Sequence, residues 1–228
     1  MQNAGGMSDF LYAPPSTEPL PIIYADDSVV VLNKPAGLLS VPGRLAEHHD
    51  SLYTRALVHF HDAQVVHRLD LATSGVLALA RGLDANRALS RQFQQRSVAK
   101  TYTAIVEGRP ADASGDVDLP LICDWPNRPR QIVDFAVGKP SQTRWFRTDE
   151  PGWPGIESTR FRLEPITGRS HQLRVHMAEI GHGILGDGFY ASPAGKAAAP
   201  RLLLHARQLR LLHPVSGECL TFEAPCPF

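Results

Sequence analysis

A run of apolar residues in the first third of the chain predicts a buried strand. Val76 to Ala80 has no polar position and follows the turn-forming triplet Thr73-Ser74-Gly75. An apolar run of this length, bounded by turn residues, is typical of a strand covered on both faces. A second apolar run, Val29 to Leu32, follows Ile22 to Tyr24 across two aspartates, which predicts a hairpin. These two patterns place a sheet at the centre of the fold.

Two later segments repeat their apolar residues at helical spacing. Ala85, Ala88, Leu89 and Phe93 predict a helix that Asp84 can cap. Leu173, Met177 and Ile180 predict another, with Ser170 as its cap and Gly181 at its end, while Arg174 lies off the apolar stripe. A short helix is expected between residues 52 and 60.

The rest of the chain contains mainly strand patterns. Thr159, Phe161 and Leu163 alternate with Arg160 and Arg162, so the two arginines are expected on a solvated face. Further strands are predicted at 102–106, at 132–137 and 143–147 joined by a turn at 138–140, and at 209–212 and 219–222; residues 116–130 are expected to be an irregular connection. Strands joined mostly by hairpins, with a few helices between them, indicate an α+β fold. Residues 1–19, rich in Pro, Gly and Ser, are expected to form a flexible arm, and residues 20–228 one domain.

Composition narrows the class of protein without defining a function. The 228 residues include three cysteines without a Cys-x-x-Cys pair, which argues against a disulfide framework and a cysteine-rich zinc site. No signal sequence or membrane-length apolar run is visible, so we expect a soluble, cytoplasmic protein. Formal net charge is zero, but 19 of the 23 basic residues are arginines, which suit phosphates and stack on bases. A GC-rich genome would favour arginine equally well.

Histidine spacing does not indicate a metal site. His59 and His61 lack a third ligand at suitable spacing, and His171 and His176 are five residues apart. We therefore expect no metal.

The most informative stretch is His67-Arg68-Leu69-Asp70, directly before the turn at 73–75. A carboxylate between Leu69 and Leu71 lies in apolar surroundings, which suggests that it has a purpose there. One interpretation is a catalytic carboxylate that an arginine keeps ionised in a cleft. The other is an ordinary salt bridge or a turn-capping aspartate, and spacing alone leaves both open.

Five segments in fixed order resemble the RluA family of pseudouridine synthases, over nearly the whole chain from about residue 22. They are Asn-Lys-Pro-Ala-Gly-Leu at 33–38, the central motif at 67–75, Lys-Thr-Tyr-Thr-Ala-Ile-Val at 100–106, Gly-Arg-Ser-His-Gln-Leu-Arg-Val-His at 168–176 and Leu-Leu-Leu-His-Ala at 202–206. Residues 119–129 resemble the small, dual-specificity members of that family. The resemblance implies a mixed, largely antiparallel sheet with surrounding helices and a central RNA-binding cleft.

The resemblance also implies an activity, which is isomerisation of a uridine to pseudouridine without any cofactor. Asp70 matches the catalytic aspartate, Arg174 the arginine that pairs with it, and Tyr102 the tyrosine that stacks on the uracil. The carboxylate would attack ribose or base, or deprotonate the ribose C2′, and the sequence does not separate these routes.

Other motif positions are expected to bind the substrate. Arg68 matches the arginine that fills the gap left by a flipped base, and Leu204 an apolar wall opposite the tyrosine. His67, Lys34 and Arg169 are further candidates from the same motifs.

The implied partners are stem-loops of large-subunit rRNA and of tRNA anticodon arms, bound by a monomer. The alternatives are a synthase acting on only one of these RNAs, a non-catalytic RNA-binding protein that kept the fold, and a hydrolase using Asp70 with His67.

Overall fold

A computed structural model describes residues 12–228 of the chain. Most of the predicted arm, residues 1–11, lies outside the described residues. The described part of the arm, 12–19, contacts the rest of the chain. The Tyr12 hydroxyl donates to the Asp50 carbonyl, and the Arg55 guanidinium donates to the Pro15 carbonyl and the Thr17 hydroxyl. The boundary at residue 19 remains a prediction.

Within the part of the chain that the structure describes, ten strands form one large sheet. Their order is β1-β2-β4-β11-β5-β10-β9-β6, with β3 paired to β4 and β12 to β11 beside this path. The strands are β1 (Ile22–Ala25), β2 (Val29–Lys34), β3 (Ala63–Val65), β4 (Ser74–Arg81), β5 (Ala99–Glu107), β6 (Ser114–Asp118), β9 (Gln142–Arg147), β10 (Ser158–Pro165), β11 (Leu204–Leu212) and β12 (Cys219–Glu223). A separate two-stranded hairpin consists of β7 (Leu121–Cys123) and β8 (Gln131–Val133).

In residues 12–228, four α-helices pack around the sheet: α1 (Leu52–Leu57), α2 (Gly82–Gln94), α3 (Gln172–Glu179) and α4 (Pro193–Ala198). Apolar side chains of β2 and β4 belong to two core clusters, one that includes residues of α2 and one that includes residues of α1. A third cluster joins β5, β10 and β11 to α3. The predicted α+β fold with a mixed, mostly antiparallel sheet is confirmed.

The two halves of the sheet meet at β4 and β11. In the described chain this is the single parallel pair, with His205 opposite Ser74 and Ala206 opposite Gly75. Gly75 has φ +115°, and a Cβ there would lie 2.2 Å from the Ala206 carbonyl oxygen. Only glycine permits this approach, because any side chain would collide with the neighbouring backbone. The close contact lies five residues after Asp70 and therefore helps to fix the loop that carries it.

Strand predictions were correct for the hairpin β1–β2, for β4, β5 and β10, and for the terminal hairpin β11–β12. The irregular connection expected at 116–130 was wrong, since it contains most of β6 and all of β7. The strand expected at 132–137 ends at Val133 and pairs with β7, not with 143–147. It ends there because the Asp134 carboxylate accepts from the amides of Ala136 and Val137, which forms a turn.

Both predicted helix caps were wrong. Helix α2 begins at Gly82, directly after β4, so Asp84 lies within the first turn and pairs with Arg87. Helix α3 follows His171, and its N-cap makes no side-chain hydrogen bond. The side-chain oxygen of Gln172, the first residue of the helix, accepts from the Arg169 amide in the segment before it.

The exposed position expected for Arg160 was also wrong. Its side chain is 9% exposed, and Nη1 donates to the Phe228 carbonyl at 2.9 Å. The C-terminal segment covers this face of β10, whereas Arg162 remains exposed as predicted. No helix in residues 12–228 has the length and apolar character needed to span a membrane.

Candidate active site

Asp70 lies in the loop between β3 and β4, and neighbouring residues fix the backbone of this loop. The Ser40 hydroxyl donates to the Leu69 carbonyl at 2.7 Å and accepts from the Leu69 amide at 3.0 Å. The Leu71 carbonyl accepts from the Gly37 amide at 2.9 Å. Because Leu69 is buried, the chain on either side of Asp70 is anchored while the Asp70 side chain stays 29% exposed.

Lys34, a predicted substrate contact, lies beneath the same loop. The residue is fully buried, and its ammonium donates to the carbonyls of Pro35, Leu38 and Leu71. Burial lowers the pKa of Lys34 to about 7, although the negative charge of Asp70 acts in the opposite direction. Lys34 therefore links the segment 35–38 to the Asp70 loop through hydrogen bonds of its ammonium group.

Arg174, in α3, lies close to the Asp70 loop. Its Nη1 lies 3.6 Å from Asp70 Oδ2, while Nε and Nη2 each lie 2.7 Å from a carboxylate oxygen of Asp187. Arg174 is therefore held in a two-bond pair by Asp187 and presents its remaining nitrogen to Asp70. Burial alone would lower the pKa of Arg174, but the hydrogen bonds and charge of Asp187 raise it.

Sequence reasoning missed Asp187. Its side chain is completely buried, and Oδ1 also accepts from the amides of Phe189 and Tyr190 at 2.8 and 3.3 Å. Asp187 could have been noticed for the same reason as Asp70. It is a carboxylate in apolar surroundings, because Ile184 and Leu185 precede Gly186-Asp187. The partner of Arg174 could not be read from that pattern.

A histidine also approaches Asp70. His171 Nε2 lies 3.9 Å from Asp70 Oδ2, and Nδ1 lies 2.7 Å from the Tyr190 hydroxyl oxygen. Burial lowers the pKa of His171, although the charge of Asp70 opposes this effect. The imidazole is therefore neutral near pH 7. Both His171 and Tyr190 were missed as site residues.

Tyr102 lies on β5, between Ala206 of β11 and Leu163 of β10. Burial raises the pKa of Tyr102 well above its usual value, and the charge of Asp70 raises it further. The phenol is therefore protonated at neutral pH and serves more readily as a donor than as a base. Leu204, two residues before Ala206, packs in the core cluster that Tyr102 lines.

The remaining predicted substrate contacts lie in different surroundings. The Arg68 side chain is exposed, and the Arg169 guanidinium reaches the Pro140 carbonyl at 3.4 Å. His67 stacks on Phe93 of α2, and its Nε2 accepts from the Ala78 amide at 3.0 Å. Burial lowers the pKa of His67 to about 3, so this imidazole is neutral. The structure thus groups Asp70, Arg174 and Tyr102 and directs the His67 ring toward α2.

A cavity of about 670 Å³ adjoins the Asp70 loop. Leu71 and Ala72, which follow Asp70, line it, as do Gly186, Lys34 and Arg201. Arg201 Nη2 donates to the Ser74 hydroxyl at 2.6 Å. Among the described residues that line the cavity, Lys34 and Arg201 are the lysine and the arginine, and both donate to oxygens of the protein.

This arrangement offers a partly exposed carboxylate beside a buried cation, a protonated phenol and an open cleft. These groups can supply a nucleophile or base together with a proton donor. Among residues 12–228 no group of three or more His, Cys, Asp or Glu side chains is placed to hold a metal ion.

Comparison with known proteins assigns the class. The family model described as RNA pseudouridylate synthase matches residues 28–179. The chain belongs to the RNA pseudouridylate synthase family, and within it to the RluA-type enzymes.

Individual relatives make the similarity more specific. The chain is 54% identical over 217 residues to the dual-specificity RNA pseudouridine synthase RluA of Escherichia coli K12, covering 95% of this chain and 98% of that one. It is 53% identical over 209 residues to the RluA of Yersinia pestis, covering 91% and 99%. Among solved structures, human RNA pseudouridylate synthase domain containing 1 superposes with a TM-score of 0.78 at 29% identity, over 95% of this chain and 87% of that one.

Proposed function

We propose that this RNA pseudouridine synthase uses Asp70 as its catalytic carboxylate, with Arg174 and Tyr102 as the groups that assist it. The observation that carries the proposal is the convergence on one exposed side chain. Asp70 is held by an anchored loop, and the buried Arg174 faces it at 3.6 Å. An arginine that is already paired with Asp187 cannot be drawn away, so it supports the negative charge of Asp70 without moving.

The isomerisation requires that uracil leave the ribose through N1, rotate and rejoin through C5, after which the C5 proton is removed and N1 takes up a proton. An ionised Asp70 can form a covalent adduct or remove the C2′ proton, and the site geometry suits both routes. Tyr102 would stack on the freed base, and its hydroxyl, which burial keeps protonated, would donate a hydrogen bond. Leu204, from the neighbouring strand, would supply part of the apolar wall.

We further propose a substrate pair, one uridine in a stem-loop of large-subunit rRNA and one in the anticodon stem-loop of certain tRNAs. The support is the family resemblance of the motifs and the dual-specificity name of the RluA relatives, which the chain matches over nearly their whole length. RNA recognition commonly reads loops and unstacked bases, so one compact loop shape could serve two RNAs. The monomeric state and the cytoplasmic location expected from the sequence belong to this proposal.

Flipping the target uridine out of a loop costs roughly a few kcal/mol and leaves a gap. The exposed Arg68, two residues before Asp70, would fill that gap with its planar guanidinium. Lys34 would hold the loop, and Arg169 and Arg201 would meet phosphates near the cleft. Because phosphate contacts release counterions, binding should weaken steeply as salt rises.

The test is to supply isolated rRNA and anticodon stem-loops to the wild-type protein and to Asp70→Asn, and to map pseudouridine chemically. The asparagine keeps the shape and removes the charge, so this variant should bind both loops and modify neither. Mass spectrometry excludes deamidation back to aspartate. Modification of a single loop by the wild type would defeat the dual assignment. Turnover by Asp70→Asn within about tenfold of wild type, a difference of about 1.4 kcal/mol, would defeat the catalytic one.

A further inference from the structure

His171 stands at an unusual point of the backbone directly before α3. It has φ +54° and ψ +13°, a left-handed conformation that is uncommon for a residue other than glycine. Such conformations persist only where the surroundings enforce them, and they are often found at functional sites. Here the imidazole stacks on Phe189, with ring centroids 5.8 Å apart and planes 21° apart. The conformation thus directs the ring between Tyr190 and Asp70.

The hydrogen bonds around Tyr190 favour one position for the imidazole proton of His171. The Gln131 amide of β8 donates to the Tyr190 hydroxyl oxygen at 2.8 Å. That oxygen therefore acts as an acceptor, and its own hydrogen is available to His171 Nδ1 at 2.7 Å. A neutral imidazole that accepts at Nδ1 must carry its hydrogen on Nε2, the nitrogen that faces Asp70.

Two donors then face the same oxygen of Asp70. Arg174 Nη1 lies 3.6 Å and His171 Nε2 lies 3.9 Å from Oδ2, and neither oxygen of the Asp70 carboxylate has a hydrogen-bond partner within residues 12–228. Both distances exceed a hydrogen bond, and catalytic hydrogen bonds of free enzymes often shorten only when substrate is bound. A carboxylate held through one oxygen presents the other to its reaction partner.

We propose that His171 is a positioning residue that, as the Nε2–H tautomer set by Tyr190, orients Asp70 through Oδ2 and leaves Oδ1 to react. The proposal rests on Asp70 being the catalytic carboxylate. The charged or titratable groups that face His171 are Asp70, Arg174, Asp187 and Tyr190. A neutral donor among them orients the carboxylate without adding a second full positive charge beside it.

The first experiment compares His171→Gln with His171→Met. Both side chains are unbranched at Cβ and meet the same cost in the left-handed backbone, but only glutamine keeps an N–H donor near the position of Nε2. Single-turnover rates are measured on a stem-loop that the wild type modifies, with RNA affinity measured in parallel. We expect the methionine variant to react roughly tenfold more slowly than the glutamine variant at unchanged RNA affinity. Equal rates in the two variants, whether high or low, would overturn the proposal.

His213 provides a matched control. Its Nε2 lies 3.0 Å from Asp26 Oδ2, and this contact joins two turns of the sheet. His213→Gln and His213→Met should react at the same rate, because that pair does not touch the Asp70 loop. If the two His213 variants differed in rate as much as the two His171 variants, the difference would reflect loss of any histidine–carboxylate contact. That result would also overturn the proposal.

The second experiment needs no RNA and is therefore independent of the substrate assignment. Long-range proton–nitrogen NMR spectra of the ¹⁵N-histidine-labelled protein report which ring nitrogen of His171 carries the hydrogen. We expect the Nε2–H form in the wild type and a loss of this preference in Tyr190→Phe, which keeps the ring and removes the hydroxyl. An Nδ1–H form in the wild type, or an unchanged tautomer in Tyr190→Phe, would overturn the role of Tyr190. If Asp70→Asn proved active, the catalytic assignment would fail on that result alone, whatever the tautomer.

Discussion

Replacing Arg174 should lower both the stability and the activity, for two separable reasons. Arg174→Met removes two 2.7 Å hydrogen bonds to Asp187 and leaves that fully buried carboxylate with only backbone amide donors. Removal of one partner from a buried ion pair costs about 3–5 kcal/mol. The contact with Asp70 adds less than about 1 kcal/mol, because it spans 3.6 Å and the carboxylate is 29% exposed.

The assay combines urea unfolding with turnover in the wild type, in the variants Arg174→Met and Asp187→Asn, and in the double variant. With a slope of about 2–3 kcal/mol per molar urea, the loss in Arg174→Met corresponds to a midpoint lower by about 1–2.5 M. The double variant contains no unpaired buried charge, so it should regain a large part of that stability. Its turnover should nevertheless remain low, since Asp70 still lacks its cation.

Two results would contradict this reasoning. A loss of stability below about 1 kcal/mol in Arg174→Met would mean that Asp187 does not depend on the arginine. Recovery of turnover together with stability in the double variant would mean that Arg174 acts on the fold alone and has no role beside Asp70.

Three further predictions concern other residues. Tyr102→Phe should bind RNA normally and lose about 100-fold or more in turnover, because the ring stays while the donor is lost; full activity would restrict Tyr102 to packing. His67 has its pKa lowered to about 3 in the folded state, so its contribution to stability is present above about pH 6.5 and is lost as pH falls toward 3. His67→Gln, which keeps an acceptor for the Ala78 amide, should flatten the fall in unfolding free energy between pH 6 and 4 by up to about 1.4 kcal/mol per pH unit, and an unchanged slope in urea titrations would contradict this. Arg68→Ala should leave the urea midpoint unchanged and slow base flipping, measured with a fluorescent base beside the target uridine, because the exposed guanidinium has no role in the fold; an unchanged flipping rate would remove Arg68 from that step.

The sequence by itself predicted most of the local elements and singled out Asp70 as the candidate catalytic residue. The apolar run at 76–80 forms a central strand of the sheet. All of its side chains are apolar, so they can be buried on both faces. Asp70 drew attention because a carboxylate between two leucines lies in apolar surroundings, which suggests that it has a function there. Alternation also predicted the buried face of β10, since side chains on a strand point to opposite sides in turn.

Only the tertiary structure decided which partners these residues meet. Arg174 precedes Asp187 by a helix end and a loop, and no periodic pattern relates the two positions. Alternation assigned Arg160 to solvent, but the distant C-terminal segment covers it. The orientation of His171 depends on a left-handed backbone and on Tyr190, whose hydroxyl accepts from Gln131 in a hairpin whose first strand, β7, was expected to be irregular. Sequence periodicity reports which side of an element is buried, whereas the partner of a buried polar group depends on distant segments that meet only in the folded chain.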